Sequence, residues 1–341
     1  MLDRKTIMSN GCKLGITLQG VEPPQAFQQQ VRDLETRGFS HLWVTDSSLH
    51  ARCVYAYLTL AALNSERLQI GTGVTHPYAR HPAISVNAIS TIDEISSGRA
   101  MFGLGTGDRP TAELGYSPAR LKVMREMISA SRKLIAGEKM NFDGSTFSLV
   151  DAKIHYKLRD HVPIYVAASG PRMLALAGEL ADGVIIQVGL FPAAIKFALQ
   201  KVGEGAGRAG RTLDDLEIWV MACGMVSGDR EMARNKSRTM AAWFAQTVPV
   251  YCELGNVDPS VVKGIQDAYR GSEFHLAQDA ARLVPDEMIG LFTVGGTPED
   301  VQARIGGLAD LKITGVNFMP IGPERTQSYQ LFAEALIHST I

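Results

Sequence analysis

The stretch Gly71–Asp108, GTGVTHPYARHPAISVNAISTIDEISSGRAMFGLGTGD, decides how the rest of the chain is read. It predicts the end of one strand, a helix and the whole of the next strand, with glycines at both strand ends. Pro82 suits a first helical turn, where a missing N–H costs nothing. Ile84, Ala88, Ile92 and Ile95 recur at helical spacing and predict one apolar stripe. Gly98 is placed to end the helix, because glycine enters the left-handed conformation without penalty. Arg99 to Leu104 then predicts a short, mostly apolar strand. Gly103, Gly105 and Gly107 alternate, which leaves one face without side chains. Either a flat ligand lies against that face, with Asp108 at its rim, or the glycines serve close packing and a turn.

The same rhythm extends in both directions. Lys13 to Leu18, His41 to Thr45 and Leu68 to Thr75 predict three earlier strands. Between them fall a helix opened by Pro23 and Pro24, carrying Phe27, Val31 and Leu34 and closed by Gly38, and a second helix over Val54 to Leu63. After the helix predicted for Pro118 to Ala136, an excursion over about 140–160 breaks the alternation. Phe142 to Phe147 there reads as a β-hairpin turn flanked by aromatics. Val162 to Ala168, Gly183 to Gln187, Leu216 to Val226 and Gly315 to Met319 complete eight strands. A helix-rich insertion without clear strands is expected over about 228–294. Near its end Thr297, Pro298 and Asp300 spell a helix start. Strands alternating with helices pair in parallel through crossovers, so the expected fold is one (β/α)8 TIM barrel spanning 1–341, with two insertions.

Composition narrows the partners. The chain has 341 residues, 45% hydrophobic and 20% charged, ordinary for a globular protein in water. A formal net charge of −1 gives no reason to expect nucleic acid or an anionic membrane surface. Cys12, Cys53, Cys223 and Cys252 show no C-x-x-C pair and no zinc spacing, as expected of reduced thiols in a cytoplasmic protein. The opening MLDRKTIMSNG has no apolar core of the kind a signal peptide needs.

A barrel carries its active site at the C-terminal ends of the strands, which turns the strand reading into a roster of candidates. Those ends deliver Asp46 and Ser47, Gly73 to Thr75, Thr106 to Asp108, Ala168 to Arg172, Gln187 to Gly189, Cys223 and Gly224, and Asn317 and Met319. Ala168-Ser169-Gly170-Pro171-Arg172 runs from a strand into a helix. The unpaired N–H groups of that first turn make an anion site, to which Ser169 adds a hydroxyl and Arg172 a charge. Ser169 as a plain helix cap is the other reading. Asp108 is the candidate acid–base group, with capping or pairing to Arg109 as its alternative, and Asp46 is a second carboxylate. Ser47, His50 and Arg52 are candidate substrate contacts. His76, Arg80 and His81 lack metal-ligand spacing; Arg80 and His81 precede a helix and are expected to cap it or to meet a partner subunit. Neither glycine run completes G-x-G-x-x-G, and no P-loop or G-x-S-x-G elbow is present, which disfavours dinucleotide, nucleotide-hydrolysis and esterase chemistry.

Three motifs in order carry a resemblance: THPYARHP (Thr75–Pro82), DEISSGRA (Asp93–Ala100) and GLGTGD (Gly103–Asp108). Together they resemble the bacterial-luciferase-like superfamily, and within it the methylenetetrahydromethanopterin reductases that use coenzyme F420. The likeness extends more loosely over nearly the whole chain and is weakest between Arg230 and Glu287. It implies hydride transfer between F420 and a small organic substrate, with an FMN-dependent monooxygenase as the alternative and a non-catalytic flavin-binding protein as a third. It implies a non-prolyl cis peptide at Gly73–Val74 against the ring, with Thr72 and Thr75 beside it. It places Gly105 to Gly107 and Gln187, Val188 and Gly189 around the cofactor, and the cofactor phosphate at Ala168 to Arg172. It also implies an acidic residue at the place of Asp108, and a homodimer built on the early helices. Thr17 and Cys53 depart from it, standing where relatives carry a glutamate and an aspartate.

Overall fold

A computed structural model describes residues 12–156, 159, 161–269 and 277–337. Its strands are β1 (Lys13–Leu18), β2 (His41–Val44), β3 (Gln69–Thr72), β4 (Ala100–Leu104), β5 (Met140–Asp143), β6 (Ser148–Ala152), β7 (Ile164–Ala168), β8 (Gly183–Ile186), β9 (Glu217–Gly224) and β10 (Gly315–Pro320). Eight of them close a barrel in the order β1-β10-β9-β8-β7-β4-β3-β2, each pair parallel. β5 and β6 form a separate antiparallel hairpin. This is the (β/α)8 barrel that the alternation predicts.

Period-two alternation divides the side chains between two cores. Leu14, Ile16, Leu42, Val44, Phe102 and Val166 point outward into the layer beneath the helices. Trp43, Met101, Tyr165, Ile185 and Trp219 point inward and fill the barrel. The two indoles lie 5.0 Å apart, edge to face. They fit because β1 and β10 offer glycine opposite: a Cβ on Gly15 would stand 2.5 Å from Trp43, and one on Gly315 2.5 Å from Trp219.

At the N-terminal end of the barrel Glu217 gathers the interior's polar atoms. It accepts from Lys13 Nζ at 3.0 Å, Tyr165 Oη at 2.7 Å and Trp219 Nε1 at 3.2 Å. Burial raises the Glu217 pKa, but these bonds and the nearby Lys13 outweigh it and leave the net shift downward. His41 is 5% exposed, and burial pushes its pKa down to about 3. The unfolded chain therefore takes a proton near pH 6.5 that the folded chain refuses. Stability is expected to fall by up to ~1.4 kcal/mol per pH unit as pH drops from about 6.5 towards 3. His41→Gln is expected to flatten that slope; urea unfolding at pH 6.5 and 4.5 measures it, and an unchanged difference contradicts the assignment.

The helix Pro82–Ile95 forms where the sequence places it, but buries another face. Ser85, Val86, Ile89, Ile92 and Asp93 are inside, whereas Ile84 is 60% and Ile95 38% exposed. The expected stripe fails because buried Asp93 joins the inner face, its carboxylate accepting from Arg159 and from Ala100 N. Gly98 does end this region with φ +87°. Arg99 then donates to the carbonyls of Ala62, Ser65, Leu68 and Ser96. The DEISSGRA motif is thus a junction between helix and strand, remote from the strands' C-terminal ends.

Between β9 and β10 the described residues form the helices Arg230–Thr247, Val250–Leu254, Pro259–Ala268, Ala277–Ala281 and Asp286–Phe292. Phe244 stacks on Phe292 at 4.6 Å, and Tyr251 is fully buried; His275 lies outside the described residues. Thr297 and Asp300 cap the following helix reciprocally, as their spacing predicts. Among the described residues no helix is long and apolar enough to cross a membrane.

Candidate active site

The mouth of the barrel is shaped by a bulge at the end of β3. The Gly73–Val74 peptide is cis. Beyond it Thr75 rejoins the ladder opposite Leu104, with Thr75 N donating to Gly103 O at 3.0 Å and Gly105 N to Thr75 O at 2.9 Å. The glycines of β4 do not leave a bare face. A Cβ on Gly103 would meet Thr72 O at 1.9 Å, one on Gly105 would meet Val74 Cγ2 at 2.5 Å, and one on Gly107 would meet Thr111 Oγ1 at 2.0 Å. Gly103 and Gly105 make room for the bulge at the end of β3, and Gly107 makes room for Thr111. Thr72 is committed too: its hydroxyl donates to Gly103 O at 2.7 Å and accepts from Gly103 N at 3.0 Å.

Asp46 lies 6% exposed beside the bulge. It accepts from Thr75 Oγ1 at 2.6 Å and from both terminal nitrogens of Arg80. Arg80 in turn sits over the Tyr55 ring at 5.1 Å. Arg80 therefore braces Asp46 rather than capping the helix. His81 takes the capping role, its Nδ1 accepting from Ala83 N at 3.2 Å. This buried pair pins the strand on the far side of the bulge through Thr75.

Asp108 follows Gly107 at the end of β4 and is exposed. It occupies the N-cap position of the short helix Arg109–Glu113, yet its side chain does not cap that helix. A carboxylate at a strand end, one strand from the bulge, stands where a proton can be exchanged with a ligand in the mouth.

Past β7, Ser169 and Gly170 lead into the helix Pro171–Leu180, whose N-cap is Gly170 without a side-chain bond. The hydroxyl of Ser169 is therefore not spent on capping, and the first-turn N–H groups face outward from the helix start. The insertion supports this turn, a contact no sequence signal points to: Tyr251 Oη donates to Ser169 O at 2.6 Å. A groove of about 470 Å³ starts at Pro171 and Arg172 and runs along the helix. Of the charged residues that line it, Arg125 pairs with Glu179 and Lys201 with Glu204, which leaves Lys122, Arg172 and Arg208 as the excess positive charge.

Other candidates are tied into the fold. Gln187 is half-buried, and Val188 is fully buried. Gly189 packs against Phe292 and Leu291, where the insertion joins the barrel rim. His50 pairs with Glu113, and Arg52 holds the carbonyls of Val21 and Glu22, which leaves Ser47 the least committed of the three substrate candidates. Inside the mouth, Thr17 Oγ1 accepts from Asn317 Nδ2 at 2.9 Å and donates to Asn317 Oδ1 at 3.1 Å. Asn317 was expected only as a strand-end residue; its bond to Thr17 joins β1 to β10, neighbours in the closed barrel.

Comparison with known proteins agrees with this geometry. Residues 7–315 match the family model described as luciferase-like monooxygenase. The chain is 34% identical to the 5,10-methylenetetrahydromethanopterin reductase of Methanolobus tindarius, over 95% of this chain and 99% of that one. It is 37% identical to the enzyme of the same name from Archaeoglobus fulgidus, over 90% and 93%. The solved coenzyme F420-dependent tetrahydromethanopterin reductase of Methanopyrus kandleri superposes with a TM-score of 0.82 at 28% identity, covering 96% of this chain and 99% of that chain. With its barrel, its β3 bulge and a match of that extent, the chain belongs to the luciferase-like monooxygenase family.

Proposed function

We propose that this chain is an oxidoreductase that moves a hydride between coenzyme F420 and a small organic substrate, a methylenetetrahydromethanopterin-like compound. The observation that carries the reading is the Gly73–Val74 bulge, pressed to the barrel mouth by Gly103 and Gly105, in a chain similar along its length to enzymes named for that reaction. The bulge would back the cofactor ring, and the turn Ser169–Arg172 would hold the cofactor phosphate. The cofactor, when bound, supplies hydride donation and acceptance; the protein supplies position and electrostatics. Asp108 would hold the proton exchanged with the substrate, while Asp46 and Arg80 keep Thr75 and the bulge in place. An anaerobic assay that follows the cofactor's absorbance with 5,10-methylenetetrahydromethanopterin tests this. Oxygen uptake with reduced FMN, and no F420 turnover, would sink it.

Tyr251 gives a narrower check. Tyr251→Phe removes the bond to Ser169 O without opening a cavity. It is expected to weaken cofactor binding about 5- to 10-fold with kcat little changed, the cost of one hydrogen bond. Equilibrium dialysis and saturation kinetics read the two quantities; an unchanged Kd contradicts a supporting role.

The proposal extends to a homodimer in the cytoplasm. Leu63, 68% exposed, and Ile84 and Ile95 are exposed apolar side chains on the neighbouring helices Val54–Leu63 and Pro82–Ile95, which a subunit interface on these helices would cover. Sedimentation equilibrium at the mass of one chain would overturn the dimer.

A further inference from the structure

We propose that Met221 on β9 and Met319 on β10 form the wall on which the flat face of the substrate rests, an inference that rests on the cofactor reading above. In the closed barrel β9 is four strands from β3 in either direction, so it stands directly across the mouth from the Gly73–Val74 bulge. A ring backed by the bulge turns its free face towards β9. The second reactant lies between the two.

Strand alternation says what that far wall is made of. Trp219 fills the barrel interior, and Met221, two residues on, packs against the same inner cluster. Met221 stands in register with Asn317, and Met319 follows two residues later on the same inward face. Asn317 is fully buried and bonded to Thr17, so it is closed to a ligand. Every other residue of β10, and every other residue of β9 from Ile218 onward, is buried as well. Met221 and Met319 alone on these two stretches are half-buried, and their open part faces the mouth. A thioether carries no charge and no donor, bends to fit an irregular surface and makes favourable contacts with aromatic rings. The wall therefore suits a substrate with a flat, weakly polar face, as the pterin class has. It offers nothing to the hydroxyl groups of an alcohol or a sugar.

The test measures kcat and KM for 5,10-methylenetetrahydromethanopterin on F420-loaded protein, with the F420 Kd from equilibrium dialysis and the Tm alongside. Met221→Ala is expected to raise the substrate KM about tenfold or more and Met319→Ala about fivefold, with the F420 Kd within about twofold of wild type. Met221→Leu restores most of the volume and is expected to bring KM back to within a few-fold. A merely structural methionine would lower the Tm and leave KM where it is. Met319, at the strand end, carries the test alone if Met221→Ala fails to fold. A KM within twofold of wild type in the alanine variants overturns the assignment. So does a tenfold weaker F420 Kd at unchanged KM, which would put the methionines against the cofactor. F420-loaded wild type that neither binds nor turns over the pterin overturns the substrate class. Wild-type protein that takes up no F420 overturns the cofactor reading itself, which separates that failure from the others.

Discussion

Asp108→Asn is expected to cut turnover by about 100- to 10,000-fold, the usual worth of a positioned acid–base group, and to leave the F420 Kd within about twofold. The substitution is close to isosteric and removes only the ability to give and take a proton. Asp108 is exposed and the near-isosteric amide still offers a hydrogen-bonding oxygen, so the Tm is expected to change by only a few degrees. Single-turnover measurements separate the effect from product release. Turnover within a few-fold of wild type would move the proton-handling group elsewhere, with Asp46 next in line.

Asp46→Ala is expected to act on the fold first. It removes a 6% exposed carboxylate and strands the Arg80 guanidinium and the Thr75 hydroxyl. Breaking a buried pair on one side costs roughly 3–5 kcal/mol; with the Arg80 side chain 24% exposed, about 2–3 kcal/mol is expected here. That is a Tm loss of roughly 3–4 °C for a chain of 341 residues. Loss of activity would follow from a loosened bulge. The double variant Asp46→Leu, Arg80→Met is expected to regain most of the stability, because both charges go together. If Asp46 were itself the proton carrier, the single variant would lose activity at an unchanged Tm.

The barrel was legible because eight apolar strands alternate with capped helices, and that pattern depends on neighbours a few residues apart. The site was legible only in part, for a reason visible at particular residues. Gly103 and Gly105 announce a missing side chain, but not what fills the space. Whether a ligand or the Val74 side chain lies there is decided by β3, about thirty residues earlier, whose approach no local period encodes. Ile84 and Ile95 carry helical spacing yet face outward, since the buried Asp93 pairs with Arg159 across 66 positions. The bond from Tyr251 to Ser169 spans 82 positions, between an insertion and a barrel turn, and had no sequence signal at all. Arg80 read as a cap because it precedes Pro82; its partner Asp46 lies 34 positions back.

The central claim is that a deazaflavin rests against the Gly73–Val74 bulge with its phosphate at Ser169–Arg172. Equilibrium dialysis of the purified protein against F420 and FMN in parallel tests it most directly. The account predicts one F420 per chain and no competition by FMN at equal concentration. Tight FMN binding with F420 excluded would contradict it and place the chain with the oxygen-using members of its family.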